Sequence, residues 1–182
     1  MKLDDLVGRP RADLHALLQS GRPLDLEAMA NTRYLGLDLS LPPAAARLLW
    51  KTFRKTFHRD GDVLRGWNVR LEQRGVEGEQ VPMTDRKGRA LTFGHYHVRS
   101  ADGVRFPRWS GAHYLDYTVA GNKRLDFGRF GFTPLVALND DSSLLLGWEV
   151  FRFGPLMAPL PLYYALRRDG PLETTVPVPR AQ

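Results

Sequence analysis

Between Arg65 and Arg168 the chain alternates apolar and polar residues in short runs that turn residues separate. A period of two is typical of half-buried β-strands, whereas a helix repeats every 3.6 residues. The runs that fit a period of two better are Leu64–Glu72, Leu91–Arg99, His113–Val119, Pro134–Leu138, Leu144–Phe153 and Leu162–Arg168. A series of strands leaves unpaired edges unless it closes, so the pattern predicts a mainly β fold with a single antiparallel β-barrel.

Composition narrows the class of protein. A length of 182 residues suits one domain, and 43% hydrophobic residues can fill a core without metal or disulfide staples. The chain has no cysteine, which excludes thiol catalysis, Cys-based zinc sites and disulfides. No apolar leader follows Met1 and no stretch is long enough for a membrane span, so we expect a cytoplasmic protein. The net charge is +6, but Arg is scattered among acidic residues, and we expect no nucleic-acid partner.

The N-terminal segment favours helices. Pro10 can begin a helix and Gly21 can end it. Its apolar stripe consists of Leu14, Leu17 and Leu18. A second short helix is expected over Asp25–Ala30, and Tyr34–Leu39 alternates as a first strand. These patterns divide the chain into a helical segment over residues 1–33, a barrel over 34–169 and a flexible tail over 170–182.

Spacing also predicts a helix over Pro42–His58. One helical face would carry Ala45, Ala46, Leu49, Trp50, Phe53 and Phe57, and the opposite face Arg47, Lys51, Arg54, Lys55 and His58. As a strand, the same residues would mix Lys with Phe on each face. We therefore expect a helix that plugs or flanks the mouth of the barrel.

Several segments together resemble a known kind of domain. They are Tyr34–Ser40, Trp50–Phe53, Gly66–Trp67, Asn139–Gly147 and Pro161–Arg168. Their order is similar to the layout of bacterial lipocalin-like barrel domains, including the GXWXG type, over about residues 34–169. The resemblance implies a lipocalin-like or calycin-type barrel that holds a hydrophobic ligand, and it brings no catalytic residues with it.

The sharpest local motif is the His-Tyr-His sequence that contains His95 and His97. Residues two apart on a strand point the same way, so both imidazoles share a face, as in the His-x-His of cupins. A third metal ligand would have to be His113 or Asp116, and nothing fixes that choice, so we expect no bound metal. A functional pair would act as neutral imidazoles, or as a general-base dyad with Asp116. Both faces of this strand are mixed, so which face is interior stays open.

Aromatic residues on the apolar faces of other strands are candidates for a ligand-binding wall. Trp67 and Trp148 lie on clean apolar faces and are predicted to line the barrel interior, whereas Asp116 falls on a face predicted to lie outside or at a rim. The candidate ligand-binding residues are Trp67, Phe93, His95, His97, Tyr117, Trp148 and Tyr164, and the candidate catalytic residues are His95, His97 and Asp116. Small barrels also fill themselves with side chains, so a hollow and a filled interior remain alternatives.

Three functions fit this pattern. The first is binding of a small apolar or amphipathic molecule without chemistry. The second is a cyclase or isomerase in the same barrel, which a polar residue with a strongly shifted pKa inside a roomy pocket would favour. The third is a cupin-like metal enzyme that uses His95 and His97. The glycines Gly128 and Gly131 lack the strand–glycine–helix context of nucleotide loops, so no cofactor is expected. The sequence leaves the oligomeric state open.

Overall fold

The computed structural model describes residues 1–40, 51–122 and 127–179, and its central feature is a closed barrel of eight antiparallel strands. Each strand pairs with the next one along the chain, and the last pairs with the first. The strands are β1 (Thr32–Asp38), β2 (Thr52–Asp60), β3 (Val63–Arg70), β4 (Thr92–Ser100), β5 (His113–Asp116), β6 (Phe132–Ala137), β7 (Leu144–Phe153) and β8 (Leu156–Pro171). The predicted mainly β, antiparallel barrel is confirmed, and closure gives every strand two neighbours.

The helices are short and lie mainly before β1. They are α1 (Arg11–Ser20), α2 (Leu26–Met29) and the 3-10 turns Leu3–Leu6 and Phe127–Phe130. As predicted, α1 follows Pro10 and stops before Gly21, and the Asp25 side chain caps α2 by accepting from the Ala28 amide. In the described part of the chain no helix has the length and apolarity needed to cross a membrane.

The predicted helix over Pro42–His58 is wrong where the structure describes it, because β2 begins at Thr52. Residues 42–50 of that prediction lie outside the described residues. Along β2 the inward face carries Phe53, Lys55 and Phe57, which is the mixture of Lys with Phe that had argued against a strand. Pairing with β1 and β3 on both sides overrides the helical spacing of the apolar residues.

The barrel has an apolar face on each side of its wall. The interior cluster contains Tyr34, Phe57, Leu64, Tyr96, Leu115, Leu135, Leu145, Tyr164 and Leu166. Leu24 and Met29 join it from the segment around α2 and close the end of the barrel where β1 begins. The outer cluster packs the N-terminal helices against the wall and contains Leu3, Leu6, Leu14, Leu18, Leu146, Trp148, Val150 and Tyr163. Both faces of the same strands are therefore apolar wherever another segment covers the outside.

A bulge interrupts the pairing of β3 with β4, where Gly94 and His95 together oppose Trp67. Gly94 has a φ of 52°, a left-handed conformation that glycine adopts without strain. The extra residue changes the alternation along β4. Phe93 borders the barrel interior, whereas His95 and His97 lie on the outer wall. Without the bulge, these three residues, which follow one another at intervals of two, would share one face.

The final strand and the segment after it run further than the sequence predicted. β8 spans Leu156–Pro171, whereas the alternating pattern that predicts this strand covers only Leu162–Arg168. Residues 172–179 have no helix or strand and lie along the outer wall. There Arg65 Nη1 donates to the Val176 carbonyl over 2.9 Å.

Candidate functional site

A cavity of about 390 Å³ occupies the barrel at the end opposite the α2 plug. Its wall is built from residues of β1, β2, β3, β4, β7 and β8 and of the connection after β5. The lining residues include Asp38, Phe53, Lys55, Asn68, Phe93, Tyr117, Glu149, Leu162 and Tyr164. The volume falls within the roughly 300–1,000 Å³ typical of small-molecule sites. The barrel is therefore hollow at this end.

Lys55 is the central polar group of the cavity wall, and only 2% of its surface is exposed. Nζ donates to Asn68 Oδ1 over 2.8 Å and to Tyr117 Oη over 2.7 Å. Both acceptors are uncharged, and among the described residues no carboxylate forms an ion pair with Nζ. The amine is therefore held by neutral dipoles, which compensate poorly for the lost hydration of an ammonium ion.

Four aromatic rings surround Nζ and form what we call the aromatic cage. The distances from Nζ to the ring centroids are 4.5 Å for Tyr96, 5.3 Å for Tyr117, 5.3 Å for Tyr164 and 5.7 Å for Phe53. At these distances the ring faces attract a cation, by about 0.5–2 kcal/mol each. The cage brings together strands from opposite sides of the barrel, so only closure creates it.

Glycines on neighbouring strands make room for the cage. A Cβ at Gly36 would meet Phe53, one at Gly66 would meet Tyr96, one at Gly94 would meet Tyr117 and one at Gly147 would meet Tyr164. At Gly66 the Cβ would also meet the backbone oxygen of Thr56, which cannot move aside. Each ring thus lies flat across a strand that has no side chain at that point. This explains why these glycines stand inside strands, where glycine is otherwise unfavourable.

Burial shifts the ionisation of two groups in the cavity toward their neutral forms. Desolvation lowers the pKa of Lys55 to about 7, and the charge of Glu149 offsets part of that effect. Burial likewise raises the pKa of Glu149, against the opposing influence of Lys55 and of a hydrogen bond from Thr133 Oγ1. The Glu149 side chain borders the cavity, so it is partly accessible while lying deep within the barrel. An amine and a carboxyl with displaced pKa values in one cavity are typical of functional sites.

Tyr164 offers a hydroxyl to the same space. Its Oη is buried and has no hydrogen-bond partner among the described residues. Burial raises the pKa of Tyr164 well above its ordinary value, so the hydroxyl stays protonated and can donate. Buried tyrosine hydroxyls usually find a partner, so this one indicates a place for a ligand atom.

Three of the sequence-predicted ligand-binding residues line the cavity: Phe93, Tyr117 and Tyr164. Trp67 and Trp148 do not, and the prediction that they line the barrel interior is wrong. Trp67 packs on the outer wall beside His95, and Trp148 packs on the outer wall against α1 through His15. Their faces are apolar because other segments of the chain cover them.

The candidate catalytic residues His95, His97 and Asp116 also lie on the outer wall. His97 pairs directly with Asp116 across β4 and β5, and burial lowers the pKa of His97. His113 belongs to the opposite face, where its Nδ1 accepts from the Leu24 amide. In the described ranges no three His, Asp or Glu side chains gather as a metal site requires. The two histidines share a face as predicted, but that face does not border the cavity.

Sequence reasoning missed Lys55, Asn68 and Glu149, which carry the polar chemistry of the cavity. Asn68 is buried and holds Lys55. One signal was available: Lys55 stands between Phe53 and Phe57 at a spacing of two. A charged residue inside an otherwise apolar strand face is costly and is found mostly where function retains it.

A larger groove of about 790 Å³ lies outside the barrel, beneath residues 172–177. Its charged side chains pair with one another: Arg33 with Asp169 at 3.1 Å and with Glu173 at 2.5 Å. Trp67 lies at its base. Because these charges are already compensated, the smaller cavity around Lys55 is the better candidate for chemistry.

The chain matches no protein-family model, no curated protein and no solved structure. The resemblance to lipocalin-like domains of the GXWXG type therefore stays a prediction.

Proposed function

We propose that this protein binds a small amphipathic molecule with a flat apolar body inside the barrel, with its polar head at Lys55. The observation that carries the proposal is the convergence of the aromatic cage on the amine of Lys55 at the wall of a cavity lined mainly by aromatic and apolar side chains. A few precisely placed polar groups in an apolar pocket fix the orientation of a ligand.

The wall favours a flat ligand. Phe53, Phe93 and Phe151 border the cavity together with three tyrosines. Aromatic rings offer large contact areas at low cost in conformational entropy, and they pair with other rings by stacking or edge-on contacts. An aromatic or polyene body would make more of these contacts than a branched aliphatic one.

Binding is tested with N-phenyl-1-naphthylamine, an uncharged aromatic dye that fluoresces in apolar surroundings. We expect one molecule to bind per chain with micromolar affinity. Replacing Leu162, which lines the cavity, by Trp fills the space and should weaken binding at least about tenfold, a loss of about 1.4 kcal/mol.

The matched control replaces Leu156, which is 63% exposed on β8, by the same residue. The Leu156→Trp variant should bind the dye like the wild type. Equal dye binding by a folded Leu162→Trp variant would show that the dye binds elsewhere and would contradict the proposal.

A second candidate function, an isomerase or cyclase in the same cavity, is favoured by one observation. Lys55 and Glu149 have pKa values displaced toward neutrality, as general bases and acids require. The neutral amine of Lys55 would take a proton from the bound molecule, and a protonated Glu149 or Tyr164 would return one.

Ring opening of 5-nitrobenzisoxazole, an aromatic substrate that reacts when a base removes its C–H proton, tests this candidate. We expect catalysis that rises as the pH rises through about 7, because only the neutral form of Lys55 is a base. The Lys55→Met variant should be slower by about 100-fold, the lower range for general base catalysis. If the Lys55→Met variant opened the ring as fast as the wild type, Lys55 would be excluded as the base.

A further inference from the structure

The position of Lys55 suits attack on a bound molecule as well as contact with it. A neutral amine has two N–H groups and one lone pair. Asn68 Oδ1 and Tyr117 Oη accept hydrogen bonds from the two N–H groups. The lone pair of the neutral amine then carries no proton. The two hydrogen bonds therefore hold the amine as a nucleophile at the wall of the cavity.

The charges of the wall select against an anionic partner for this amine. Asp38 borders the cavity, and its carboxylate would repel a carboxylate or phosphate ligand. The other described groups around Nζ are uncharged: the phenols of Tyr96, Tyr117 and Tyr164, the ring of Phe53 and the amide of Asn68. An uncharged polar head with an electrophilic carbon, a carbonyl group, fits both the amine and its neighbours.

We propose that Lys55 forms a reversible imine with an aldehyde or ketone group of the molecule held in the cavity, an inference that rests on the proposed binding function. The lone pair of Nζ attacks the carbonyl carbon, a C–N bond forms and the carbonyl oxygen takes up a proton to give a carbinolamine. The nitrogen then loses one proton, the hydroxyl group leaves with another proton as water to give a protonated C=N bond, and loss of the remaining N–H proton gives the imine. The sum is amine plus carbonyl giving imine plus water, with no change of oxidation state.

Groups for the proton transfers border the same cavity. The Tyr164 hydroxyl has no partner among the described residues and can donate to the carbonyl oxygen. Glu149, whose pKa burial raises, can pass a proton to the departing hydroxyl and then remain as a carboxylate near the protonated imine. The aromatic cage would stabilise that cation as it stabilises the ammonium form of Lys55.

The experiment uses trans-cinnamaldehyde, a flat aromatic aldehyde, and sodium cyanoborohydride, which reduces an imine to a stable secondary amine. At pH 7 about half of Lys55 is neutral, compared with about one in 2,500 of an ordinary lysine. We expect one cinnamyl group per chain by intact mass. Peptide mapping should find it on Lys55 at least about tenfold more often than on the exposed Lys87.

Two controls keep the outcome clear. The Lys55→Met variant should lose the stoichiometric adduct, whereas the Lys87→Met variant should retain it. Where Lys55→Met fails to fold, the same comparison is made within the wild-type chain, with and without urea. Unfolding should abolish the preference for Lys55, because the preference depends on burial.

Cinnamyl alcohol separates this inference from the proposed binding function, because it has the same body without the carbonyl. Displacement of the naphthylamine dye by the alcohol, with no preferential labelling of Lys55 by the aldehyde, would overturn the imine and leave binding intact. Failure of both the dye and the alcohol to bind would overturn the binding function itself. Labelling spread evenly over the lysines would also contradict the inference.

Discussion

The Lys55→Met variant is expected to be more stable than the wild type at pH 7, by about 2–4 kcal/mol. In the unfolded chain the amine titrates at 10.5, whereas in the fold burial lowers its pKa to about 7. The unfolded state therefore binds more protons between these values, so Lys55 opposes folding below pH 10.5, most strongly at and below pH 7. Its cost at pH 7 is about 4 kcal/mol, and the hydrogen bonds lost from Asn68 and Tyr117 return part of it.

The sign of the pH dependence gives the sharper measurement. Because the penalty fades as the pH rises from 7 toward 10.5, the gap between variant and wild type should narrow by about 2 kcal/mol from pH 7 to pH 9. Urea unfolding at the two pH values measures it. The charge of Glu149 raises the pKa of Lys55 and so reduces the cost of burying the amine. The comparison is therefore repeated in a Glu149→Gln background, where the difference in stability between Lys55→Met and its parent should be larger.

The exposed Lys87→Met variant serves as the control and should change stability by less than about 0.5 kcal/mol at either pH. A Lys55→Met variant that is less stable than the wild type at both pH values would contradict this reasoning. It would make the amine a structural hydrogen-bonding group rather than a strained one.

The Trp67→Ala variant is expected to lose about 3–5 kcal/mol of stability and still bind the naphthylamine dye within about twofold of the wild type. Trp67 is 1% exposed, so its removal leaves a large cavity. It faces the outer wall, against His95 and Arg65, and does not line the barrel cavity. The Trp67→Ala variant should therefore lose stability without losing dye binding.

Phe93→Ala is the matched comparison, because Phe93 lies in the neighbouring strand but borders the cavity. It should cost less stability, since Phe93 is only partly buried, and it should weaken dye binding more than Trp67→Ala does. Urea unfolding and dye titration measure the two effects. A folded Trp67→Ala variant without dye binding would place the tryptophan at the ligand after all.

If Lys55→Met stabilises the protein, then the natural chain keeps Lys55 although the buried amine lowers its stability. Buried charges in natural proteins survive when activity depends on them, and stabilising substitutions at such sites commonly reduce function. The same variant is expected to lose imine formation and proton transfer. Stability gained together with activity lost would tie Lys55 to function more firmly than either result alone.

The strand alternation predicted most of the barrel, but it failed at β2. The part of β2 from Thr52 to His58 lay within the helix predicted over Pro42–His58, because as a strand it would place Lys55 on the face that Phe53 and Phe57 share. Rules that relate hydrophobic pattern to structure assume that buried positions are apolar. The residue that broke the rule is the one at the centre of the candidate site, where local rules are expected to fail.

Two further differences from the sequence pattern concern the direction of side chains rather than the type of structure. Trp67 on β3 and Trp148 on β7 lie on apolar strand faces, and these faces were predicted to point into the barrel. The outer side of the wall is also apolar where other segments of the chain cover it, and both tryptophans lie on that side. A period of two shows that the faces differ and does not show which one points inward. On β4 the bulge at Gly94 moved His95 and His97 to the face opposite Phe93, and one extra residue leaves no clear sign in the sequence.

The sequence by itself determined the class of fold, the closure of the strands, the helix α1, and the inward direction of Tyr117 and Tyr164 with Asp116 outside. These features depend on neighbours along the chain, on alternation and on turn residues, all of which are local. Only the tertiary structure decided where the site lies. Lys55, Asn68, Tyr117 and Glu149 come from four parts of the barrel, and they meet only because the sheet closes upon itself. The shifted pKa of Lys55 follows from that closure, since burial of the amine is a property of the whole barrel.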